Sequence, residues 1–119
     1  MARAGERLVT LLSAWNEADA DARAAILDGA ASPASFTYDD GSTGRAFDGT
    51  AALGAFLEAF RGSLPDATLL PIGSPASTDR SAMVRARLDR SGETFAQLQY
   101  FAVADDDGLT HVAGFVESE

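Results

Sequence analysis

Residues 82–88, Ala-Met-Val-Arg-Ala-Arg-Leu, and residues 94–104, Thr-Phe-Ala-Gln-Leu-Gln-Tyr-Phe-Ala-Val-Ala, decide the fold. Apolar residues recur at every second position, the period of a strand with one buried face. Arg90-Ser91-Gly92 between the two runs is a hairpin signal. Asp105-Asp106-Asp107-Gly108 makes the next turn, and residues 109–116 read as a last strand. Upstream, residues 67–72 form one more strand, before a loop marked by Gly73, Pro75 and Asp79. The second half of the chain is therefore a meander of antiparallel strands.

Alternation sorts the side chains of that meander. Val84, Ala86 and Leu88 oppose Met83, Arg85, Arg87 and Asp89. Ala96, Leu98, Tyr100 and Ala102 oppose Phe95, Gln97, Gln99, Phe101 and Val103. The Val84 face is apolar and must meet the helices. His111, Ala113 and Phe115 share one face of the last strand.

The first half of the chain has the helical period instead. Leu8, Leu11, Leu12 and Trp15 fall on one stripe of an amphipathic helix. Asp19 or Asp21 caps a short second helix through Arg23, Ile26 and Leu27, and Asp19 and Arg23 have ion-pair spacing. Gly29 and Pro33 end helical structure, and residues 35–38 read as a short strand. Asp39 to Gly44 is a turn or loop by composition. A third helix starts after Asp48-Gly49-Thr50, with the stripe Leu53, Phe56, Leu57 and Phe60 and a terminating Gly62. Helices followed by a meander predict an α+β fold: helices wrapped by a strongly curved, mostly antiparallel sheet.

The chain has 119 residues, 46% hydrophobic and 23% charged, the profile of one domain over residues 1–119. A net charge of −9 argues against nucleic acid and anionic membrane as partners. Cysteine is absent, which excludes thiol nucleophiles, thiolate metal sites and disulfides. No apolar run reaches the roughly 20 residues of a membrane span, no signal-peptide core is visible, and the expected location is the cytoplasm. One histidine and no His/Cys cluster give no metal site, and the glycine-rich phosphate and dinucleotide motifs are missing, so no cofactor is expected.

Acid–base chemistry or binding in an apolar pocket remains. Asp39 or Asp40 ends the first strand, and Asp40 shares a face with Tyr38. Asp40 reads either as a general base at the mouth of a cavity or as a turn cap. Tyr100 is either a donor to a developing oxyanion or a core aromatic. His111 is the one side chain that titrates near neutrality by type, or else a structural histidine. Trp15 and Phe56 line a pocket and belong to the core at once. Phe101, Gln97, Gln99, Arg85 and Arg87 on the opposite sheet face suggest a partner surface, with a second copy of the chain as the partner.

Trp15-Asn16-Glu17-x-Asp19-x3-Arg23, Asp40, Gly49-Thr50-Ala51-Ala52-Leu53, Pro65-Asp66, Asp107-Gly108-Leu109 and Gly114-Phe115 occur in an order that resembles the nuclear transport factor 2-like superfamily, SnoaL-like branch. That branch includes polyketide cyclases and ketosteroid isomerase, and the resemblance extends over essentially the whole chain. It implies a cone-shaped fold whose open end takes a small hydrophobic molecule. It also implies a ligand site of Trp15, Tyr38, Phe56, Val84, Ala86, Leu98, Ala113 and Phe115. Nine residues before Gly49, where the isomerase pattern has its base, stands Asp40. Eight before Gly108, where that pattern has an oxyanion-binding acid, stands Tyr100. Ser13 takes the place of the pattern's first-helix tyrosine, and Phe115 that of the cyclase carboxylate. The reading is therefore an isomerase or related proton-transfer enzyme acting on a hydrophobic carbonyl compound, with Asp40, Tyr100 and His111 as catalytic candidates. The alternatives are a non-catalytic protein binding an apolar metabolite and a dimeric interaction module.

Overall fold

A computed structural model describes residues 3–117. Helix α1 (Ala4–Leu12) runs into a 3-10 turn (Ser13–Asn16) and is followed by α2 (Ala20–Ala30). Strands β1 (Thr37–Asp40) and β2 (Arg45–Asp48) precede α3 (Thr50–Ser63). Four strands complete the chain: β3 (Ala67–Ser77), β4 (Ser81–Arg90), β5 (Glu93–Ala104) and β6 (Leu109–Val116). They form one sheet in the order β2-β1-β6-β5-β4-β3, antiparallel except where β1 runs parallel to β6. The α+β arrangement expected from the two periods is the one observed.

Local chemistry accounts for the helices. Leu8, Leu11, Leu12 and Trp15 are all buried, as the stripe requires. Asp19 caps α2, its carboxylate accepting from Ala22 N at 2.8 Å. The expected Asp19–Arg23 pair does not form. Arg23 is buried and donates to Glu58 at 2.7 Å and to the Glu17 and Ala18 carbonyls, because a guanidinium inside needs several acceptors at once. Gly62 lies within α3 rather than after it, since the helix continues to Ser63.

Two strand features escape the sequence pattern. β2 has a single buried residue, Phe47, so its four positions show no alternation. β3 continues past Ile72 through Gly73, at φ +70°, across a register shift between Ile72 and Ala76. The Gly-Ser-Pro run there reads as a loop but forms an irregular edge strand, where Pro75 needs no ladder donor. The β4–β5 turn is as read: Ser91 and Gly92 both have positive φ, the geometry of a two-residue hairpin.

Register fixes the faces. Val84 pairs with Tyr100, Ala86 with Leu98 and Leu88 with Ala96, all on the helix side. In β6 the inward row is Val112, Gly114 and Val116, paired with Ala102, Tyr100 and Leu98. This corrects the expected inward placement of Ala113 and Phe115. They pair with Phe101 and Gln99 on the outer face. Both rows of β6 hold apolar residues, so alternation alone does not choose between them. The register shift beside Ala104 puts Leu109 inside and then swaps parity, and only a glycine fits under Tyr100. A Cβ on Gly114 would stand 2.6 Å from Tyr100 Cε1.

Candidate functional site: an aromatic cavity at the end of the sheet

The helices do not fill the whole inner face. Near β1 a cavity of about 410 Å³ opens between the sheet, α3 and the 3-10 turn. Asn16 anchors the turn, its side chain exchanging two hydrogen bonds, of 2.8 and 2.7 Å, with the backbone of Leu69. Arg61 adds a bond to the Trp15 carbonyl at 3.0 Å. Trp15 is thereby held edge-on to Tyr38 and Tyr100, with centroids 5.7 and 5.9 Å away. Phe56 from α3 meets Tyr38 and Phe47 at 6.2 and 4.8 Å. The walls are rings braced against rings, a rigid apolar lining.

Polar groups enter this lining from β1, the β1–β2 turn and β5. Tyr38 donates its hydroxyl to Asp40 Oδ1 at 3.1 Å. Asp40 Oδ2 accepts from Ser42 Oγ (2.8 Å), Thr43 Oγ1 (2.8 Å) and Thr43 N (3.1 Å). The carboxylate thus caps the turn and borders the cavity together. Tyr100 differs. It is 2% exposed, yet its hydroxyl has no hydrogen-bonding partner among the described residues and is not sealed from the cavity. Burial pushes the Tyr100 hydroxyl pKa well up, and the Asp40 charge pushes it further. Tyr38 is raised by burial first, then by Tyr100 and by the charge and hydrogen bond of Asp40. Both phenols therefore remain protonated donors around neutrality.

Of the residues expected at the site, Trp15, Tyr38, Asp40, Phe56, Leu98 and Tyr100 line the cavity. Val84 and Ala86 face inward but sit in solid core, because α1 lies across that part of β4. Ala113, Phe115 and His111 are corrected to the outer face. His111 Nε2 lies 3.1 Å from Asp39 Oδ2 there, away from Asp40 and Tyr100. Nor is the cavity the only hollow. A shallower groove of about 510 Å³ runs over Met83, Phe101, Val103, His111 and Ala113 on the outer face. Sequence reasoning missed Ser42, Thr43, Arg45, Phe60, Leu64 and Val116 as lining. The Asp-Gly-Ser-Thr order was the signal for the first two, since an aspartate commonly accepts from groups two and three residues on.

No group of histidine, aspartate and glutamate suited to a metal ion occurs among the described residues, and no helix there is long and apolar enough to cross a membrane. No family model matches the sequence, and no curated protein does. Solved structures do match. A candidate isomerase of the SnoaL-like family from Agrobacterium tumefaciens superposes with a TM-score of 0.86 at 22% identity, covering 99% of this chain and all of that one. A candidate ketosteroid isomerase from Kribbella flavida gives 0.75 at 16% identity, covering 98% of this chain and 78% of that one. A candidate SnoaL-like polyketide cyclase from Jannaschia gives 0.72 at 15%, covering 98% and 90%. With its open six-stranded sheet wrapped over three helices, the chain has the cone-shaped nuclear transport factor 2-like fold of the SnoaL-like and ketosteroid isomerase-like proteins.

Proposed function

We propose that the chain binds a small hydrophobic carbonyl compound in the aromatic cavity and catalyses cofactor-independent proton transfer on it, as an isomerase does. The observation that carries this reading is the Tyr100 hydroxyl, carried on a buried ring, open to an apolar hollow and without an acceptor among the described residues. A carbonyl oxygen supplies the missing acceptor. Asp40 Oδ1, engaged by Tyr38 alone among the described residues, takes a proton from the carbon next to that carbonyl, and the C–H electron pair moves onto the oxygen. Tyr100 stabilises the resulting enolate, and Asp40 returns the proton to the same carbon or a conjugated one. Two of the solved neighbours are candidate isomerases, which agrees with this reading. Phe115 points outward where the cyclase resemblance calls for a carboxylate, and that speaks against cyclisation. The test is solvent deuterium exchange into a hydrophobic cyclic ketone, followed by NMR. Exchange should fall by roughly 10² to 10⁴ in Asp40→Asn. Absence of catalysed exchange in the unaltered protein rejects the enzyme.

A second reading, a non-catalytic binding protein, draws on the three donors that fill Asp40 Oδ2 like those of a turn cap. It predicts ligand binding that survives Asp40→Asn, with no exchange at all. On the other side of the sheet, Phe101 and Phe115 meet edge-to-face at 6.1 Å and remain about half exposed, beside Val103. A second copy of the chain fits this apolar face, since the contact would take Phe101, Val103 and Phe115 out of water. Light scattering should give twice the chain mass, and Phe101→Arg should return it to the monomer. A monomer at micromolar concentration rejects the dimer.

A further inference from the structure

The hairpin wall of the cavity carries a cation that no carboxylate among the described residues neutralises. Arg45 lines the cavity and is exposed at its mouth. Arg3, Arg23, Arg80, Arg85, Arg87 and Arg90 each meet a carboxylate, and Arg61 donates to three backbone carbonyls. Among the described residues Arg45 has neither an ion pair nor a side-chain hydrogen bond. Its guanidinium lies over the Phe47 ring, 4.9 Å from Cζ to the centroid. That contact holds the guanidinium while leaving its N–H groups free. Asp40 stands directly opposite across the hairpin, yet its oxygens are taken by Tyr38, Ser42 and Thr43, and no salt bridge forms.

We infer that the ligand is an amphipathic carboxylate: a carbonyl compound whose apolar body fills the cavity and whose anionic end is held at the mouth by Arg45. This rests on the reading of the cavity as a carbonyl site. Three observations converge on it. Among the described residues, the one unused cation of the cavity wall is at the mouth, where a bound carboxylate keeps part of its hydration and avoids most of the desolvation penalty. The planar fork of arginine presents paired N–H donors that match the two oxygens of a carboxylate. A chain of net charge −9 repels an anion over most of its surface, so selection for an anionic ligand needs a local positive charge such as this one. Trp15, Phe56 and Leu98 then contact the apolar body, and Tyr100 marks the depth at which the carbonyl sits.

The experiment compares two probes, para-phenylcyclohexanone and the same molecule with a carboxylate on the far carbon of its phenyl ring. Binding is followed by the fluorescence of Trp15, the single tryptophan of the chain and part of the cavity wall. The carboxylate probe should bind the unaltered protein about 5- to 10-fold more tightly than the neutral ketone, an advantage that shrinks as salt is raised. Arg45→Gln should abolish the advantage of the carboxylate probe over the neutral one, while Arg45→Lys should retain part of it. Tyr100→Phe should weaken both probes alike. If both probes bind the unaltered protein equally, or if the preference survives Arg45→Gln, the role of Arg45 is overturned and the carbonyl cavity stands. If neither probe binds, both readings fall together.

Discussion

The inner face of the sheet has a filled half and a hollow half, made from the same strands. Under α1, the leucines at 8, 11 and 12 share a sealed core with Ala82, Val84, Ala86 and Ala102. Small residues on β4 allow the helix to approach closely, and its leucines occupy the space they leave. Toward β1 the helix has given way to the 3-10 turn, and Trp15, Tyr38, Phe56 and Tyr100 brace one another instead of meeting across the gap. The sealed burial lies in the first half and the open volume in the second. An interior filled uniformly would have no site, and one hollow throughout would lack the burial that offsets chain entropy.

The sharpest way to break this division is to open the filled half. Leu11→Ala should lower stability by about 2–5 kcal/mol in urea unfolding. Leu98→Ala, at a position already bordering empty space, should cost distinctly less. Equal losses would show that the two halves are packed alike.

Alkaline pH attacks the hollow half. Tyr38 and Tyr100 titrate in the folded state well above their ordinary value of 10.0. A raised folded-state pKa contributes stability that is complete below the unfolded value and declines as pH rises past it. Above pH 10 the unfolded chain ionises both phenols while the folded chain keeps them neutral. Stability should therefore fall by about 1.4 kcal/mol per pH unit for each tyrosine. Phenolate absorbance should rise together with unfolding, not ahead of it.

A gentler pair of variants separates packing from hydrogen bonding in the same wall. Gly114→Ala places a methyl 2.6 Å from Tyr100 Cε1 and 2.9 Å from the Tyr38 hydroxyl, so both rings must shift. A loss of about 1–3 kcal/mol is expected by thermal unfolding, along with loss of the cavity shape. Tyr100→Phe removes a hydroxyl without a partner among the described residues, and stability should change by less than about 0.5 kcal/mol. Carbonyl ligands should nonetheless bind about tenfold more weakly to it. A large stability loss in Tyr100→Phe would mean that its hydroxyl serves the fold rather than a ligand.

The amino-acid pattern by itself determined the three helices, the first half of β3, the other three long strands, the β4–β5 hairpin and most of the inner and outer faces. Each follows from a short-range period or a turn rule that neighbouring residues express together. It also placed Asp40 beside Tyr38 on one face, and Tyr100 on the inward row of β5. The tertiary structure decided what periodicity leaves open. β6 is apolar on both faces, so the outward turn of Phe115 and Ala113 came from a register shift at Ala104 and from the space that Gly114 yields to Tyr100. His111 left the site for the same reason and met Asp39 on the outer face. Val84 and Ala86 proved to be core and not cavity, because burial depends on where α1 stops relative to the sheet. Arg45 and the turn hydroxyls joined the site only once the β1–β2 hairpin had folded them against it. Alternation reports which way a side chain points; which neighbour waits there is set by residues tens of positions away in the chain.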